Sequence, residues 1–505
     1  MSTILGYLAV PFTSPGILLA LALGTCAGVY VGAIPGLTGT MAISLLISVT
    51  YGWDMSIAIA AMIGIYIGAV YGGSRSAILL NIPGAPAAVA TVFDGYPLAK
   101  KGLAARAIGV STTQSVVGGL IGSVFLLVLT PAISKLAVNF GPLDYFLLGF
   151  MGMLMVGALG NTTITKGLMA ACFGILIGRI GLDSISGITR FTFGSTKLMA
   201  GVPNVVAMIG LYGFAEALIQ VGKGKQEVIR QDVDKIIPEF GLVKKHFWLT
   251  LRCSIIGTVI GALPGAGGSI AAFLSYDHAK QTTKNPEVPF GEGAIEGVIA
   301  PESANNAAVG GALIPMLTLG VPGDGVTAVL LGALTMHGLN PGPTLLSTNE
   351  NFFYLIVSLS FIGNIFLLFF GLTGIKIFAK FVEIPGGRLF PIIVILTVVG
   401  AFSTNNLLTH VGFMMFFGIV GYILKKYGYP ASPMVLGIVL GNLLEKNLRN
   451  ALIVYRGVGG CVKAIFTRPI TLILFLIIVF TILLKQKWFL NGVASVKKKL
   501  RGTRG

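Results

Sequence analysis

The stretch GAIPGLTG at residues 32–39 decides the fold of this chain, because it interrupts an apolar run and its pattern returns later. The second copy is GALPGAGG at residues 261–268. Proline removes a backbone donor and clashes with the preceding helical turn, and the glycine after it permits backbone conformations that other residues avoid. Each stretch therefore predicts a break between two helical segments.

Further matches follow in the same order along the chain. They are Gly72-Gly73 with IPG at 82–84 against Gly310-Gly311 with VPG at 321–323, and Pro203 with Glu216 against Pro433 with Glu445. Three matches in one order predict two copies of one structural unit. We therefore divide the chain into a first repeat (1–221), a cytoplasmic connector (222–245), a second repeat (246–455), and a final transmembrane helix with a basic cytoplasmic tail (456–505).

Composition places both copies in a membrane. Hydrophobic residues make up 54% of the 505 residues and charged residues 10%, whereas a soluble domain carries roughly 25% charged residues. So few charges cannot cover a water-facing surface, and only helices or closed barrels span a bilayer. We predict an all-α polytopic membrane protein, multi-pass, with long spans such as 108–129 and 352–370.

The formal charge of +17 raises the question of nucleic-acid binding. The basic residues lie between apolar runs and in the tail at 497–501, as cytoplasmic loop anchors near anionic lipid do, so we expect no nucleic acid. No Lys or Arg precedes residue 17, while six lie in 222–245. This asymmetry predicts that copy one starts outside and copy two inside, which gives inverted repeats, a feature of secondary transporters.

Four Pro-Gly steps, two per copy, mark the predicted substrate site. Helix starts offer unpaired N–H groups and a positive dipole end, which suit a carboxylate. Packing kinks are the simpler explanation for any one step, but four at related positions favour a site in an elevator-like architecture, where broken segments move against long spans. The predicted substrate-binding residues are Thr38, Gly39, Thr40, Arg75, Asn81, Gly84, Gly267, Gly268, Ser269 and Asp324.

Several polar residues near the breaks allow two interpretations. The Arg75 guanidinium suits bidentate carboxylate binding, but a loop-end arginine reaching for water explains it as well. Asn305 and Asn306 either supply carbonyl oxygens to a sodium ion or cap a helix. The four histidines lack metal-ligand spacing, and there is no phosphate-binding loop for ATP. We therefore expect no catalytic residues, no metal and no cofactor beyond a sodium ion or proton as coupling ion.

Several stretches together carry a family resemblance over nearly the whole chain. The most specific are YGGSRS at 71–76 with NIPG at 81–84, and PESANNA at 301–307. They resemble the large membrane subunit of the tripartite tricarboxylate transporters. The resemblance implies a bacterial inner-membrane importer of di- or tricarboxylates such as citrate, driven by a sodium or proton gradient. It also implies two partners: a small four-helix membrane subunit and a periplasmic substrate-binding protein.

Two other function classes stay open at this point. A stand-alone carboxylate channel fits an apolar repeat protein, although broken helices at one site suit alternating access better. An intramembrane transferase would need acidic metal-binding clusters at a membrane face, and no Asp-Asp-x-x-Asp pattern or His-Glu pair occurs. Flux through vesicles separates the three, because a transporter saturates and needs a driving ion.

Overall fold

The computed structural model of the protein describes residues 6, 9–34, 37–159, 164–183, 186–221, 238–265, 267–373 and 386–483. Most of these residues are helical, and one short hairpin with two residues in each strand is the sheet structure among them. The helices are α1 (Val10–Thr13), α2 (Pro15–Ala33), α3 (Gly39–Thr50), α4 (Met55–Leu80), α5 (Val89–Leu98), α6 (Ala104–Ala137), α7 (Pro142–Leu159), α8 (Ile164–Gly178), α9 (Asn204–Met208), α10 (Ala215–Val221), α11 (Phe240–Lys245), α12 (Phe247–Ala262), α13 (Gly267–Thr282), α14 (Glu296–Leu319), α15 (Gly325–Met336), α16 (Leu345–Thr348), α17 (Glu350–Leu372), α18 (Gly386–Ser403), α19 (Leu408–Lys426), α20 (Ala431–Val454), α21 (Val458–Thr467) and α22 (Pro469–Leu483).

Short irregular elements join some of these helices. Two 3₁₀ turns cover Pro86–Ala88 and Thr196–Leu198, and π-helical turns cover Ala99–Leu103 and Ile209–Phe214. The hairpin pairs β1 (Gly181–Leu182) with β2 (Thr189–Arg190) in antiparallel fashion, with Gly181 opposite Arg190.

The all-α polytopic membrane fold predicted from composition is confirmed. Within the described residues, five helical stretches are long and apolar enough to cross a membrane: Pro15–Ala33, Met55–Leu80, Pro86–Ala137, Glu350–Leu372 and Leu408–Lys426. Shorter apolar helices, including α3, α12 and α15, lie among them. A crossing needs about 20 residues in a helix, so the short helices cross only partway.

The helices break where Pro-Gly steps predict breaks. Both α4 and α14 end in a left-handed residue, Asn81 with φ 58° and Gly320 with φ 69°. A Pro-Gly step and a new helix follow each of them. Pro264 separates α12 from α13 in the same way. Pro35 and Gly36 lie outside the described residues, and around them α2 ends at Ala33 and α3 begins at Gly39.

Glycine contacts recur in the two halves of the chain. A Cβ added to Gly32 on α2 would lie 2.3 Å from the Ala69 carbonyl oxygen on α4, and one added to Gly261 on α12 would lie 2.4 Å from the Ala308 carbonyl oxygen on α14. Such distances exclude any side chain, so the two helix backbones touch, as small residues allow in lipid. The recurrence supports the predicted repeat; the inverted orientation and the elevator motion stay predictions.

The same contacts also give the register of the repeat. A Cβ on Gly72 would lie 2.4 Å from the Val29 carbonyl oxygen, and one on Gly311 would lie 2.2 Å from the Thr258 carbonyl oxygen. Gly72 therefore corresponds to Gly311, one position later than the GG alignment of the sequence suggests. This register agrees with the alignment of Pro83 with Pro322.

The end of the described chain contains a sharp bend. Of the predicted final segment 456–505 the structure describes residues 456–483, and there Val458–Thr467 and Pro469–Phe480 lie at 96° to one another. Pro469 is the first residue of α22, and the residue before a proline avoids helical conformation. The basic tail at 497–501 lies outside the described residues, as does most of the predicted connector.

Candidate functional site

A cavity of about 670 Å³ lies where the helix breaks meet. Three helix starts line it, those of α3, α13 and α15, together with the turn before α5. Parts of α4, α10, α14, α19 and the start of α20 complete the wall. A cavity of this size matches the range of about 300–1,000 Å³ typical of small-molecule sites.

The start of α3 presents small polar residues to the cavity. Thr38 is the N-cap, and its hydroxyl accepts from the Met41 amide at 3.2 Å. Gly39 follows, and a Cβ there would lie 2.9 Å from the Cβ of Ala69 on α4. Thr40 also lines the cavity. The absence of side-chain bulk at Gly39 leaves the first amides of α3 accessible to a ligand.

The start of α13 has the same character. Gly267 has φ +62°, a left-handed conformation that favours glycine. A Cβ on Gly268 would lie 2.2 Å from Asn305 Oδ1 on α14, so a side chain there would displace the Asn305 amide. Ser269 is the third residue of this helix, and all three line the cavity. Because the first four amides of a helix lack intrahelical acceptors, α13 offers donors here.

The start of α15 differs, since a carboxylate already occupies it. Asp324 caps the helix, and its Oδ1 accepts from the Thr327 amide and from the Thr327 hydroxyl, both at 2.8 Å. Its Oδ2 accepts from the Tyr66 hydroxyl at 2.5 Å. Asp324 lines the cavity, but these three hydrogen bonds turn its carboxylate oxygens toward the protein. The Asp324 carboxylate therefore already compensates the positive end of the α15 dipole.

Three hydroxyls converge beside Gly325 at the first turn of α15. A Cβ on Gly325 would lie 3.4 Å from Ser432 Oγ, 3.7 Å from Thr40 Oγ1 and 3.8 Å from Tyr212 Oη. All three residues line the cavity. Thr40 lies on α3, Ser432 on α20 and Tyr212 in the π-helical turn. Three hydroxyls around one point can donate to several oxygens of one polycarboxylate.

A lysine lines the cavity on its other side. Lys425 Nζ on α19 lies 2.6 Å from Glu216 Oε2 on α10. The Lys425 side chain is 56% exposed and that of Glu216 is 7% exposed. The lysine therefore neutralises a buried carboxylate while its head remains within reach of the cavity mouth.

The structure brings together eight of the twelve predicted binding residues at this cavity. They are Thr38, Gly39, Thr40, Gly267, Gly268, Ser269, Asp324 and Asn305. Arg75, Asn81, Gly84 and Asn306 are not among its described lining residues. Asn81 is exposed and forms the left-handed end of α4, and Gly84 packs against the Gly32 carbonyl, 2.2 Å from its added Cβ. Both have a structural reason for their identity.

Arg75 lies inside the protein, 1% exposed, with partners on a neighbouring helix. Its Nη2 donates to the carbonyl oxygens of Phe370 at 2.8 Å, Gly371, and Thr373 at 3.3 Å, and its Nε to Tyr71 Oη at 3.3 Å. These carbonyls belong to the end of α17, where a helix lacks internal donors and a cation is favourable. The geometry gives Arg75 the role of a helix cap in this structure.

Tyr66, Tyr212, Lys425 and Ser432 are among the cavity residues that the sequence analysis missed. For Tyr66 a signal existed, because the shift that takes Pro83 to Pro322 also takes Tyr66 to Asn305. The other three lie outside the broken segments, and their approach to the cavity depends on long-range packing. Within the described residues, no group of three His, Cys, Asp or Glu side chains could hold a metal ion.

Comparisons with known proteins identify the family. The sequence profile of the tripartite tricarboxylate transporter TctA family matches residues 18–436. An uncharacterized 52.8 kDa protein in the TAR-I ttuC' 3' region of Agrobacterium vitis is 36% identical over 438 residues, covering 86% of both chains. An uncharacterized protein in the TAR-II ttuC' 3' region of the same organism is 44% identical over 201 residues, 40% of this chain and 83% of that one. No solved structure matches the chain significantly.

Proposed function

This chain belongs to the tripartite tricarboxylate transporter TctA family, and from that membership we propose that it is the translocating subunit of a carboxylate importer. The family is one of transporters, and this member is a multi-pass membrane protein. The proposed substrate is a di- or tricarboxylate of the citrate type, and the proposed direction is inward.

One observation carries the proposal: the starts of α3 and α13, neither with an acidic cap among the described residues, line the same cavity. Each helix start is equivalent to about half a positive charge, with directed amide donors. The hydroxyls of Thr40, Tyr212 and Ser432 add donors nearby. A polycarboxylate needs such neutral or partly positive groups, because a charge brought to mid-membrane without compensation is costly.

The rest of the machinery follows from the family as a proposal. The two helix starts together offset only about one charge of a substrate that carries two or three. A coupling cation, sodium or a proton, would compensate for part of the remainder. We assign the protein to a bacterial inner membrane, with a small four-helix membrane subunit and a periplasmic binding protein as partners.

Reconstitution of the complete transporter tests the proposal. Vesicles that contain this chain and its small membrane subunit receive the binding protein outside, and uptake of radiolabelled citrate and succinate is measured under sodium, proton or no gradient. We expect saturable uptake that needs a gradient and the binding protein. Acetate, which carries one charge, serves as the negative control.

Two results would overturn the proposal in different directions. Unsaturable flux without any gradient would indicate a carboxylate channel. Complete absence of flux for both substrates, with correctly inserted protein and a saturated binding protein, would contradict a transport function for these carboxylates.

A further inference from the structure

A second polar pocket lies in the protein interior, apart from the carboxylate cavity. It is enclosed by α4, α6, α14 and α17. Four polar side chains line it: Ser123 on α6, Asn306 on α14, and Ser360 and Asn364 on α17. All four are at most 3% exposed. Buried polar groups without partners cost free energy, so their arrangement needs an explanation.

Each of these four side chains donates a hydrogen bond to a backbone carbonyl of its own helix. Ser123 Oγ donates to the Gly119 carbonyl at 2.8 Å, and Ser360 Oγ to the Ile356 carbonyl at 2.9 Å. Asn364 Nδ2 donates to the Ser360 carbonyl at 2.8 Å, and Asn306 Nδ2 to the Glu302 carbonyl at 3.4 Å. A carbonyl needs a donor, so the amide nitrogens face the helices and the amide oxygens face away from them.

The oxygens that remain are acceptors without donors. Among the described residues, Asn306 Oδ1 and Asn364 Oδ1 are buried and have no hydrogen-bond partner. The hydroxyl oxygens of Ser123 and Ser360 have lone pairs left after they donate. The other lining residues, such as Ile67 and Val309, are apolar or glycine. The pocket therefore holds buried oxygen acceptors without donors, and oxygen lone pairs are what a hard cation requires.

The space between these oxygens favours a small ion over water. The free space admits no water molecule at its centre. A hard cation of sodium's size draws oxygen ligands to about 2.4 Å, closer than the roughly 2.8 Å of a water hydrogen bond. Gly119 maintains this fit, since a Cβ there would lie 2.0 Å from Asn364 Oδ1. We expect the larger potassium ion to bind more weakly.

A negative charge lies one helical turn away. Glu302, four residues before Asn306 on α14, is 1% exposed. Its carboxylate accepts from Thr91 Oγ1 at 2.5 Å and from Ser115 Oγ at 2.7 Å. Within the described residues no Lys, Arg or His forms an ion pair with it. A buried carboxylate is expensive without a nearby positive charge.

We propose that a sodium ion binds among Asn306 Oδ1, Asn364 Oδ1, Ser123 Oγ and Ser360 Oγ, with Glu302 as its nearby counter-charge. The one cation accounts for both the unpartnered amide oxygens and the carboxylate without an ion pair. Neutral ligands with one neighbouring carboxylate suit a monovalent ion better than a divalent one.

Two consecutive residues of α14 connect the proposed sodium site to the carboxylate cavity. Asn305 lines the cavity and donates to the Val70 carbonyl at 3.2 Å, while Asn306 lines the sodium pocket. Sodium binding would therefore fix the helix segment that holds Asn305 against Gly268. This coupling of ion to substrate rests on the proposed function; the ion binding itself does not.

Binding is tested on the purified full-length protein in detergent, without any carboxylate. Its apparent melting temperature is measured in sodium, potassium or choline chloride at constant ionic strength. We expect sodium to raise the melting temperature by about 2 °C or more, with little effect of potassium. Binding of radioactive sodium to the same protein gives the dissociation constant directly.

Three variants locate the ion. Ser123→Ala and Ser360→Ala each remove one ligand, and Gly119→Ala pushes on Asn364 Oδ1. We expect each to weaken sodium binding about tenfold or more. Ser303→Ala is the matched control, because Ser303 is fully buried, donates to the Ile299 carbonyl at 2.8 Å, and does not line the pocket. It should bind sodium like the wild type, and the two serine variants keep the test valid if Gly119→Ala does not fold.

The proposal is overturned if sodium stabilises no better than potassium, or if all three variants keep wild-type sodium affinity. The first result would indicate a protonated Glu302 beside a dry pocket. Sodium binding at this pocket without any carboxylate uptake would leave the site standing and contradict the proposed function. Carboxylate uptake without sodium binding would support the proposed function and contradict the sodium site.

Discussion

Helices α4 and α14 occupy corresponding places in the two halves, yet they carry different chemistry. Both contact a partner helix through glycine, both end in a left-handed residue, and both precede a Pro-Gly break. Their polar side chains do not correspond. The shift from Pro83 to Pro322 pairs Ile63 with Glu302, Tyr66 with Asn305, Ile67 with Asn306, Arg75 with Ile314 and Ala85 with Asp324.

The predicted repeat therefore accounts for the glycine contacts between backbones, whereas the polar side chains differ between the two halves. α14 contributes to both the carboxylate cavity and the sodium pocket, whereas α4 contributes Tyr66 to the first and the apolar Ile67 to the second. The two proposed sites thus differ in their composition: both halves line the anion cavity, and α14 supplies a polar ligand to the cation site where α4 supplies an apolar side chain.

The largest expected effect comes from breaking what the two helices share. Gly32→Val and Gly261→Val place side chains against the backbones of α4 and α14, where even a Cβ would lie 2.3 Å or 2.4 Å from a carbonyl oxygen. Forced separation should destabilise each variant by about 1–3 kcal/mol or more. Membrane levels and melting temperatures measure this loss.

Gly412→Val on α19 is the control for these variants, because a Cβ there meets nothing within 4 Å. Unequal losses in Gly32→Val and Gly261→Val would contradict the structural equivalence of α4 and α14.

The second-largest effect is expected on transport, from changes at the starts of α3 and α13, which contact α4 and α14. Gly39→Val and Gly268→Val place side chains against Ala69 and Asn305, which should shift the first amides of α3 and α13. We expect citrate uptake to fall at least tenfold at normal membrane levels, because misplacement by about 1 Å in a site is costly. Gly52→Val beyond the other end of α3, in open space, should transport normally. Normal uptake in both cavity variants would place the substrate elsewhere.

A smaller effect is expected at Arg75, which α14 replaces by Ile314. Arg75→Lys keeps the charge but loses the planar set of donors that caps α17. We expect the melting temperature to fall, at a cost of about 1–3 kcal/mol, while KM for citrate stays unchanged. A raised KM with unchanged stability would instead support the carboxylate-binding role predicted from sequence.

The smallest effect tests the contact between Tyr66 and Asp324. Tyr66→Phe removes a donor from the Asp324 carboxylate and leaves more negative charge toward the cavity. KM for citrate should rise about threefold to tenfold, as loss of one hydrogen bond of about 1 kcal/mol allows. Adding Asp324→Asn should restore KM, since asparagine still caps α15. Additive losses in the double variant would contradict this electrostatic account.

Prediction from sequence worked where the local signal was strong. The Pro-Gly breaks at residues 83, 264 and 322, the all-α membrane fold and the family all followed from composition, proline chemistry and motifs. The residues after the breaks, such as Thr38 and Gly268, lie at one cavity as expected. Their role in substrate binding stays a prediction, as do the inverted topology and the coupling ion.

Prediction was weaker for polar residues that lie near a break in sequence. Asn81 and Arg75 are adjacent to the second break, yet Asn81 terminates α4 and Arg75 reaches the end of α17. A polar residue in an apolar helix must find partners, but its sequence neighbours do not reveal which helix supplies them.

The sequence by itself determined where the helices break and which residues are small enough for backbones to touch, because these depend on φ restrictions and side-chain volume within one segment. Only the tertiary structure decided which breaks meet, that Lys425 and Tyr212 join the same cavity, and that Asn306 and Asn364 face one pocket. Those relations depend on contacts between helices far apart in the chain, and no local pattern encodes the partner of a buried polar atom.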